Sequence, residues 1–401
     1  MTMGKLVAAM TVLLCGLGRA AAVVDNAIVD WNNAALDTAR NNYLPAQIAM
    51  RYYALTSLAQ WKALQENGAS GANADPRAVA ALAGHYILSN YFPENQAAYD
   101  SLLQRELASW GLTPAQVQAA LQVAVPVAVE VAANRLADGS ESYAPFIPAP
   151  ANGPAGQYQF VPGQTAADYP QLATTTPFVI QNVTTFAIPP PAINSSEYFQ
   201  GWNTTFLEGR ATGSNRTQDQ TDTAFFWDNG NGTAGIGGAW FRIAQLVLAA
   251  NSTLNDTATL FAKLAAAQYD SNIAGWWEKF NYGYWRPVTA IRQCIPGSNL
   301  PADPAWTPLL DTPDSPEYPS THAVTAGASA AVLSDYFGTN NVPFTITSEY
   351  PGLPTRSYPS FSAAAQDVAQ SKWAVIYGGV HFPDSFSGIP LGQAVSTLGK
   401  F

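Results

Sequence analysis

Two cations lie close together in a chain that carries few charges. The stretch EKFNYGYWRPVTAIR places Lys279 seven residues before Arg286, and only 11% of the 401 residues are charged. On a continuous helix, a spacing of seven residues makes about two turns, so the two side chains share a face about 10 Å apart along the axis. Two cations on one face indicate an anion-binding site. The alternative is that their aliphatic stems cover the neighbouring aromatic rings.

A second stretch, EYPSTHAVTAGASAAVL, predicts a helix whose first turn binds an anion. Ser320 follows Pro319 and is a natural N-cap. The free backbone N–H groups at the start of a helix, together with a hydroxyl group, form an anion-binding site. His322 lies in that first turn, where it faces a bound anion or is simply exposed to solvent.

The third stretch, WAVIYGGVHFPDSFSG, predicts a helix end that is followed directly by a histidine. Gly378 and Gly379 let the backbone turn sharply before His381, and Asp384 is close enough in sequence to accept a hydrogen bond from one imidazole nitrogen. The other nitrogen is then free to act as a nucleophile or a metal ligand. A His-Phe-Pro-Asp turn without any chemistry is the alternative.

The elements that position these residues are predicted to be helices. Apolar residues recur at helical spacing over most of the chain, and no stretch alternates with period two for long enough to claim a sheet. We expect an all-α protein of two helical halves with long Pro-rich loops. The predicted divisions are a signal peptide at 1–22, an N-terminal half at 23–137, a Pro/Gly-rich arm at 138–192 and a C-terminal bundle at 193–401 that carries the anion site.

The N-terminus predicts export, and therefore a secreted protein. Lys5 precedes an apolar run from Val7 to Leu17, and three alanines form a small-residue cleavage site. A net charge of −10 argues against nucleic acid as a partner. No later stretch was expected to span a membrane. Cys15 falls in the presumed signal, so Cys294 is left without an intramolecular partner, and the oligomeric state is open.

Seven Asn-x-Ser/Thr sequons occur, all of them between residues 182 and 255. In an exported chain this clustering predicts one glycosylated surface. The alternative is a segment that is simply rich in asparagine and threonine. The sequon asparagines are Asn182, Asn194, Asn203, Asn215, Asn231, Asn251 and Asn255.

Taken in chain order, the three stretches resemble the motifs of the vanadium haloperoxidase and type 2 phosphatidic acid phosphatase superfamily. Members of that superfamily carry Lys-x6-Arg-Pro, then Pro-Ser-Gly-His, then Ser-Arg-x5-His-x3-Asp. This chain has Lys279-x6-Arg286-Pro287, then Pro319-Ser320-Thr321-His322, then Ala374-Val375-x5-His381 with Asp384. The flanking runs WRPVTAIR, DPAWTPLL and IYGGVHF are similar to the soluble haloperoxidase branch.

The resemblance implies a helical bundle of the haloperoxidase and acid-phosphatase type with a tetrahedral oxyanion in its site. It implies that His381 bonds the vanadium of vanadate, or attacks phosphorus in a phosphatase, and that His322 is the general acid and base. The oxyanion donors it implies are Lys279, Arg286, Ser320 and the backbone N–H of Thr321. It also implies catalytic roles for Lys279, which polarises the bound peroxide, and for Asp384, which orients His381.

The chain departs from the superfamily pattern at three places. Val375 replaces an arginine whose bidentate contact is worth about 1.5–3 kcal/mol, with Lys372 one turn earlier as a partial substitute. Thr321 replaces a glycine, which predicts crowding or a strained turn if its φ is positive. Asp384 is one residue early, and Ser385 stands at the family position.

Three functions therefore stay open. The first is halide oxidation with hydrogen peroxide at a His-bound vanadate. The second is a soluble acid phosphatase that cleaves a phosphate ester through a phosphohistidine at His381. The third is a catalytically degenerate secreted glycoprotein, for which Val375 and Thr321 argue.

Overall fold

The computed structural model of the protein describes residues 26–293, 295, 298–369 and 374–398. The predicted signal peptide, both cysteines and Lys372 lie outside these residues. The side chains of Ala374 and Val375 are also outside the described part.

Five helices precede the Pro/Gly-rich arm. Local sequence signals set the ends of these helices. Pro45 separates the first two helices. Thr113 begins the fifth with a capping box, in which the side chains of Thr113 and Gln116 each accept a hydrogen bond from the other's backbone N–H. The helices are α1 (Ala27–Asn41), α2 (Ala46–Ala69), α3 (Pro76–Tyr91), α4 (Gln96–Ser109) and α5 (Pro114–Ala133).

The helices after the arm are more varied in length. They are α6 (Ser196–Glu208), α7 (Gln218–Asp228), α8 (Gly235–Val247), α9 (Leu254–Tyr282), α10 (Pro287–Arg292), α11 (Thr321–Phe337), α12 (Phe361–Ala369), α13 (Ala374–Tyr377) and α14 (Gly388–Leu398). Short 3-10 turns lie at Pro93–Asn95, Pro170–Thr174, Val183–Phe186 and Pro383–Ser387.

The predicted all-α class is confirmed. The strands in the described chain are β1 (Phe344–Ile346) and β2 (Arg356–Tyr358), which pair antiparallel with Phe344 opposite Tyr358. This hairpin was not predicted, because three-residue strands are too short for their alternation to be read from sequence.

One apolar core joins the helices before the arm to those after it. Trp31 of α1 and Tyr53 of α2 belong to the same buried cluster as Phe261 of α9 and Leu333 of α11. The long helix α9 therefore contributes, from Ala258 to Ile273, to the core that both groups of helices share.

Helix α11 packs so closely on α14 that only glycine fits at the contact. A Cβ built on Gly327 would collide with the backbone of Ile389, and one on Gly392 would collide with the backbone of Val324. The small residues of AVTAGASAA permit this approach. Close packing fixes the direction of α11, whose N-terminus points into the candidate site.

The arm is fastened to α9 by a buried carboxylate. Asp270 accepts hydrogen bonds from three successive backbone N–H groups of the arm, at 2.6 Å from Phe178, 2.8 Å from Val179 and 3.0 Å from Ile180. An ionised acceptor makes such bonds stronger than those between neutral groups. The arm is therefore bonded to the core rather than a free linker.

Helix α5 has the length and apolar composition of a membrane span, which the sequence analysis did not anticipate. One-third of its apolar window is buried inside the protein. Core helices of globular proteins meet the same criterion, so this feature is weak evidence for a span.

We expect Asp270→Asn to weaken the fastening of the arm. An amide nitrogen cannot accept a hydrogen bond, so at least one backbone N–H loses its partner, at a cost of about 1–3 kcal/mol. Burial raises the pKa of Asp270 to about 6 from an ordinary 3.8, against the three backbone bonds, which lower it. A carboxyl whose pKa rises on folding contributes stability that is lost as the pH rises through the folded value.

The stability of the wild type relative to Asp270→Asn should therefore fall as the pH rises from about 4 to about 6. Urea denaturation at several pH values measures this difference. Asp335→Asn, at an exposed position of α11, is the control for the loss of one carboxylate. A difference that grows with rising pH would contradict the assignment.

Candidate functional site

The turn between α9 and α10 separates the two predicted cations. Helix α9 ends at Tyr282 because Gly283 takes a left-handed conformation, with φ 54°. Pro287 begins α10 and restricts Arg286, the residue before it, to an extended conformation. The prediction that Lys279 and Arg286 share one helical face is therefore wrong.

The arm reinforces this turn on both sides. The backbone N–H of Tyr158 donates to the carbonyl of Gly283 at 2.7 Å, and that of Trp285 donates to the carbonyl of Gly156 at 3.1 Å. These bonds hold the chain extended between the two helices. Arg286 is thereby turned back toward the side of the fold that Lys279 occupies.

Lys279 lies in the last turn of α9 and is only 1% exposed. Its Nζ donates to the carbonyls of Pro316 at 2.8 Å and of Glu317 at 3.1 Å. Burial, and then the nearby Arg286 guanidinium, hold the pKa of Lys279 well below its usual value, while Glu317 opposes them.

Arg286 is equally buried and donates to two segments. Its Nε donates to the Ser315 carbonyl at 2.8 Å and its Nη2 to the Ser315 hydroxyl at 3.1 Å. Its Nη1 donates to the Val380 carbonyl at 2.9 Å and faces Nε2 of His381 at 3.2 Å. Both cations therefore bind the three-residue segment 315–317, which brings them together.

His381 is held by the carboxylate of Glu317. Its Nδ1 lies 2.8 Å from Oε1 of Glu317, and the same oxygen accepts the Phe382 backbone N–H at 2.8 Å and the Ser385 hydroxyl at 2.6 Å. Glu317 is fully buried. Burial raises its pKa, while Ser385, the two cations and the Phe382 N–H lower it.

These neighbours decide the tautomer of His381. An arginine has no acceptor atom, so Nε2 of a neutral His381 must present its lone pair to Arg286, and Nδ1 must carry the proton that it donates to Glu317. Burial, followed by the positive charges of Arg286 and Lys279, lowers the pKa of His381 well below its ordinary value. His381 is thus a neutral imidazole with its basic nitrogen at Nε2.

Helix α11 begins as predicted, at a Ser320 N-cap. The Ser320 hydroxyl accepts the Ala323 backbone N–H at 3.5 Å and is fully buried. Thr321 is the first helical residue, and its γ-methyl lies close to Gly275 of α9. Because its backbone is helical, the strained turn predicted for a positive φ is not formed.

His322 faces the same space as His381. Its Nε2 lies 3.0 Å from the Asp228 carbonyl at the end of α7. A carbonyl only accepts, so Nε2 carries the proton and Nδ1 is free to accept another. Burial lowers the pKa of His322, and the carbonyl and carboxylate of Asp228 oppose this effect.

Both histidines line one small cavity of about 60 Å³. Such a volume admits several water-sized groups, which is the scale of the oxygens of a tetrahedral oxyanion. Lys279, Arg286 and Ser320 are not on its wall. The lining residues are Ala224, Trp227, Asp228, Leu310, Asp311, Pro313, His322, Val368, Val380 and His381.

The prediction that His381 bonds Asp384 is wrong, because His381 donates its Nδ1 hydrogen to Glu317 instead. Asp384 lies in the turn Pro383–Ser387, where its buried Oδ2 has no hydrogen-bond partner, and it approaches Gly201 of α6. Burial raises its pKa to about 7, assisted by Glu197 and Glu317. Ser385, at the family position, contacts His381 only through Glu317.

The structure thus gathers His322 and His381 around one cavity, while Arg286 contacts His381 from outside its wall and Lys279 and Ser320 are not on the wall either. Glu317 was missed by the sequence analysis. The available signal was a carboxylate three residues before the Ser320 cap, in a chain with few charges. Among the described residues, no group of three or more His, Cys, Asp and Glu side chains is placed to hold a metal cation.

Two comparisons concern the sequence. A family model described as the VCPO second helical-bundle domain matches residues 259–399, which include all the cavity-lining residues except Ala224, Trp227 and Asp228. Vanadium chloroperoxidase of Curvularia inaequalis is 35% identical over 100 residues, covering 22% of this chain and 16% of that protein. The match therefore spans about a sixth of that relative.

Solved structures extend the likeness to the whole fold. A bacterial vanadium-dependent iodoperoxidase superposes with a TM-score of 0.81 at 23% identity, covering 93% of this chain and 95% of that one. An apo bacterial vanadium-dependent chloroperoxidase gives a TM-score of 0.67 at 16% identity, covering 88% and 92%. At these identities the likeness shows a shared fold.

We expect Glu317→Gln to disturb His381, and the matched Asp384→Asn to leave it unchanged. Removing the carboxylate leaves two buried cations without their counter-charge, which costs about 3–5 kcal/mol. It also replaces the charged acceptor that keeps the proton on Nδ1 with a weaker, neutral amide that can instead present its NH2 group to that nitrogen. Nitrogen NMR of histidine-labelled protein should show a changed tautomer ratio at His381.

Ser385→Ala removes one of the three donors that share Oε1 of Glu317 and should shift the same signals by a smaller amount, which covers the case that Glu317→Gln does not fold. A His381 signal that responds to Asp384→Asn and not to the Glu317 or Ser385 changes would overturn the assignment.

Proposed function

Since this chain belongs to the superfamily of vanadium haloperoxidases and type 2 phosphatidic acid phosphatases, we propose that it oxidises halide with hydrogen peroxide at a vanadate bonded to His381. The observation that carries the proposal is the meeting of His322 and His381 on one cavity, with the basic Nε2 of His381 oriented by Arg286 and Glu317.

The residues present fit a small oxyanion, although they bind it with fewer donors than the family pattern has. Lys279 uses two of its three N–H groups on carbonyls, and Arg286 engages four of its five. One donor on each cation is left over. The Ser320 hydroxyl and the first N–H groups of α11 add to these.

His381 would contribute its Nε2 lone pair as the protein ligand once the 3.2 Å contact of that nitrogen with Nη1 of Arg286 opens. Vanadate, when bound there, supplies the Lewis acid that activates hydrogen peroxide toward attack by halide. Glu317 keeps the proton of His381 on Nδ1 throughout, so that Nε2 stays basic. Lys279 and Arg286 place positive charge next to the oxygens that gain negative charge during the reaction.

His322 is placed to move the proton. Its Nε2–H is committed to the Asp228 carbonyl, so its Nδ1 can take a proton from hydrogen peroxide and return it to the leaving oxygen. Burial lowers its pKa, which keeps the imidazole neutral and ready to accept.

An acid phosphatase is the second candidate, because the same Nε2 lone pair can attack phosphorus. Its supporting observation is the neutral, oriented His381. The cavity of about 60 Å³ disfavours a bulky ester. A protein without catalysis is the third candidate, which Val375 and the engaged donors of Lys279 and Arg286 support.

We place the activity in the secretory space or outside the cell. The support is the positive start at Lys5, the apolar run from Val7 to Leu17 and the small residues Ala20 to Ala22.

An activity assay separates the three candidates. Purified protein with orthovanadate, hydrogen peroxide and bromide should brominate a phenol-red-type dye, and the activity should require vanadate and vanish in His381→Ala. Hydrolysis of a phosphate ester that vanadate blocks would favour the phosphatase instead. No turnover in either assay would leave the protein without catalysis.

A second prediction concerns the missing arginine. Val375→Arg should raise vanadate affinity about 10- to 150-fold, because one charge-assisted bidentate contact is worth about 1.5–3 kcal/mol. Val375→Lys adds the charge without the planar fork and should gain less. Equilibrium dialysis with vanadate measures both. Equal affinities in all three proteins would mean that position 375 does not face the anion.

A further inference from the structure

The asparagines of the seven sequons share one structural property: all of them are exposed. Five lie in loops or in the arm, Asn203 lies in α6, and Asn255 lies in the first turn of α9. None of their side-chain Nδ2 atoms donates a hydrogen bond within the described chain. They are Asn182, Asn194, Asn203, Asn215, Asn231, Asn251 and Asn255.

The asparagines outside sequons are not uniformly exposed. Asn26, Asn32, Asn67 and Asn272 are buried, and Asn26 and Asn67 donate their Nδ2 hydrogens within the core. Exposure is therefore not a general property of asparagine in this fold. A sequon asparagine can carry a large group without a change in packing, whereas these four cannot.

Several of the threonines in the sequons have a structural role that explains why a threonine stands at that position. Thr217 caps α7 and Thr253 caps α9, while Thr205 and Thr257 are fully buried. Helix capping and packing thus account for several of the threonines. They do not account for an exposed asparagine two residues before each of them.

One sequon asparagine, Asn203 of α6, lies beside an exposed apolar side chain. Asn203 and Leu207 are four residues apart on the helix, so they are neighbours on one face. Leu207 is 37% exposed, which is high for a leucine. A sugar chain on Asn203 would lie over this apolar side chain.

We propose that the surface formed by residues 182–255 is N-glycosylated at these seven asparagines. In each transfer the amide nitrogen bonds to the anomeric carbon of an oligosaccharide carried on a lipid pyrophosphate. The bond from that carbon to the pyrophosphate oxygen breaks, the lipid pyrophosphate leaves with the electron pair, and the amide proton is released. The donor lipid and the transferase belong to a eukaryotic secretory pathway, so this proposal also requires the export proposed above.

The full chain, expressed with its own N-terminus in insect cells, provides the test. Peptide-N-glycosidase F converts an occupied asparagine to aspartate, and peptide mapping in heavy-oxygen water marks each converted position. We expect marking at most of the seven sites and none at Asn134, an exposed asparagine outside any sequon. The matched variants Asn203→Gln and Asn134→Gln should respectively remove one sugar chain and remove none.

Marking at one site or none overturns the proposal, whether the chain is recovered from the medium or from the cells. Loss of a sugar chain in Asn134→Gln would also contradict it. The halide-oxidation assay is independent of these outcomes, because none of the seven asparagines lines the histidine cavity.

Discussion

The carboxylate of Glu317 is the constraint on which the rest of the site depends. Two cations, Lys279 and Arg286, are buried to 1% exposure in a fold that gives them no solvent. A buried charge needs a partner or a full set of hydrogen bonds. The segment 315–317 supplies both, since its backbone and the Ser315 hydroxyl accept from the cations while the Glu317 side chain adds a negative charge. The same carboxylate then fixes the proton of His381.

This arrangement has a consequence for anion binding. Donors already engaged with carbonyls, and an internal carboxylate beside them, reduce the attraction of the pocket for a second anion. The orientation of His381, in contrast, is fully set before any ligand arrives. The site therefore orients its histidine ligand well but offers little net positive charge to an anion. Val375 in place of an arginine lowers that positive charge further.

Local signals in the sequence predicted much of this structure. Proline at 45 and 287, the Thr113 capping box and the Ser320 cap each set a helix end through bonds within a few residues. The order of Lys279, Ser320, His322 and His381 predicted the fold class and the two histidines of the cavity, but not the other eight residues of its wall. In these cases the residues that determine a helix end lie within a few positions of it in the sequence.

The errors have the opposite cause. The hydrogen-bond partner of His381, Glu317, is 64 residues away in sequence, whereas the local pattern favours the nearby Asp384 as that partner. The helical face of Lys279 and Arg286 was extended through Gly283, although a glycine followed by a pre-proline residue is itself a signal for a helix end. Long-range bonds of the arm to Gly283 and Trp285 complete that turn, and no local pattern predicts them.

The central claim is that Nε2 of His381 is the atom offered to a tetrahedral oxyanion. Nitrogen NMR of histidine-labelled protein during a titration with orthovanadate tests it most directly. The account predicts that the Nε2 signal of His381 moves with added vanadate while its Nδ1 keeps its proton and stays near its starting position. Movement of Nδ1 alone would contradict it, and so would no response of His381 while His85, which lies in α3 and does not line the cavity, responds.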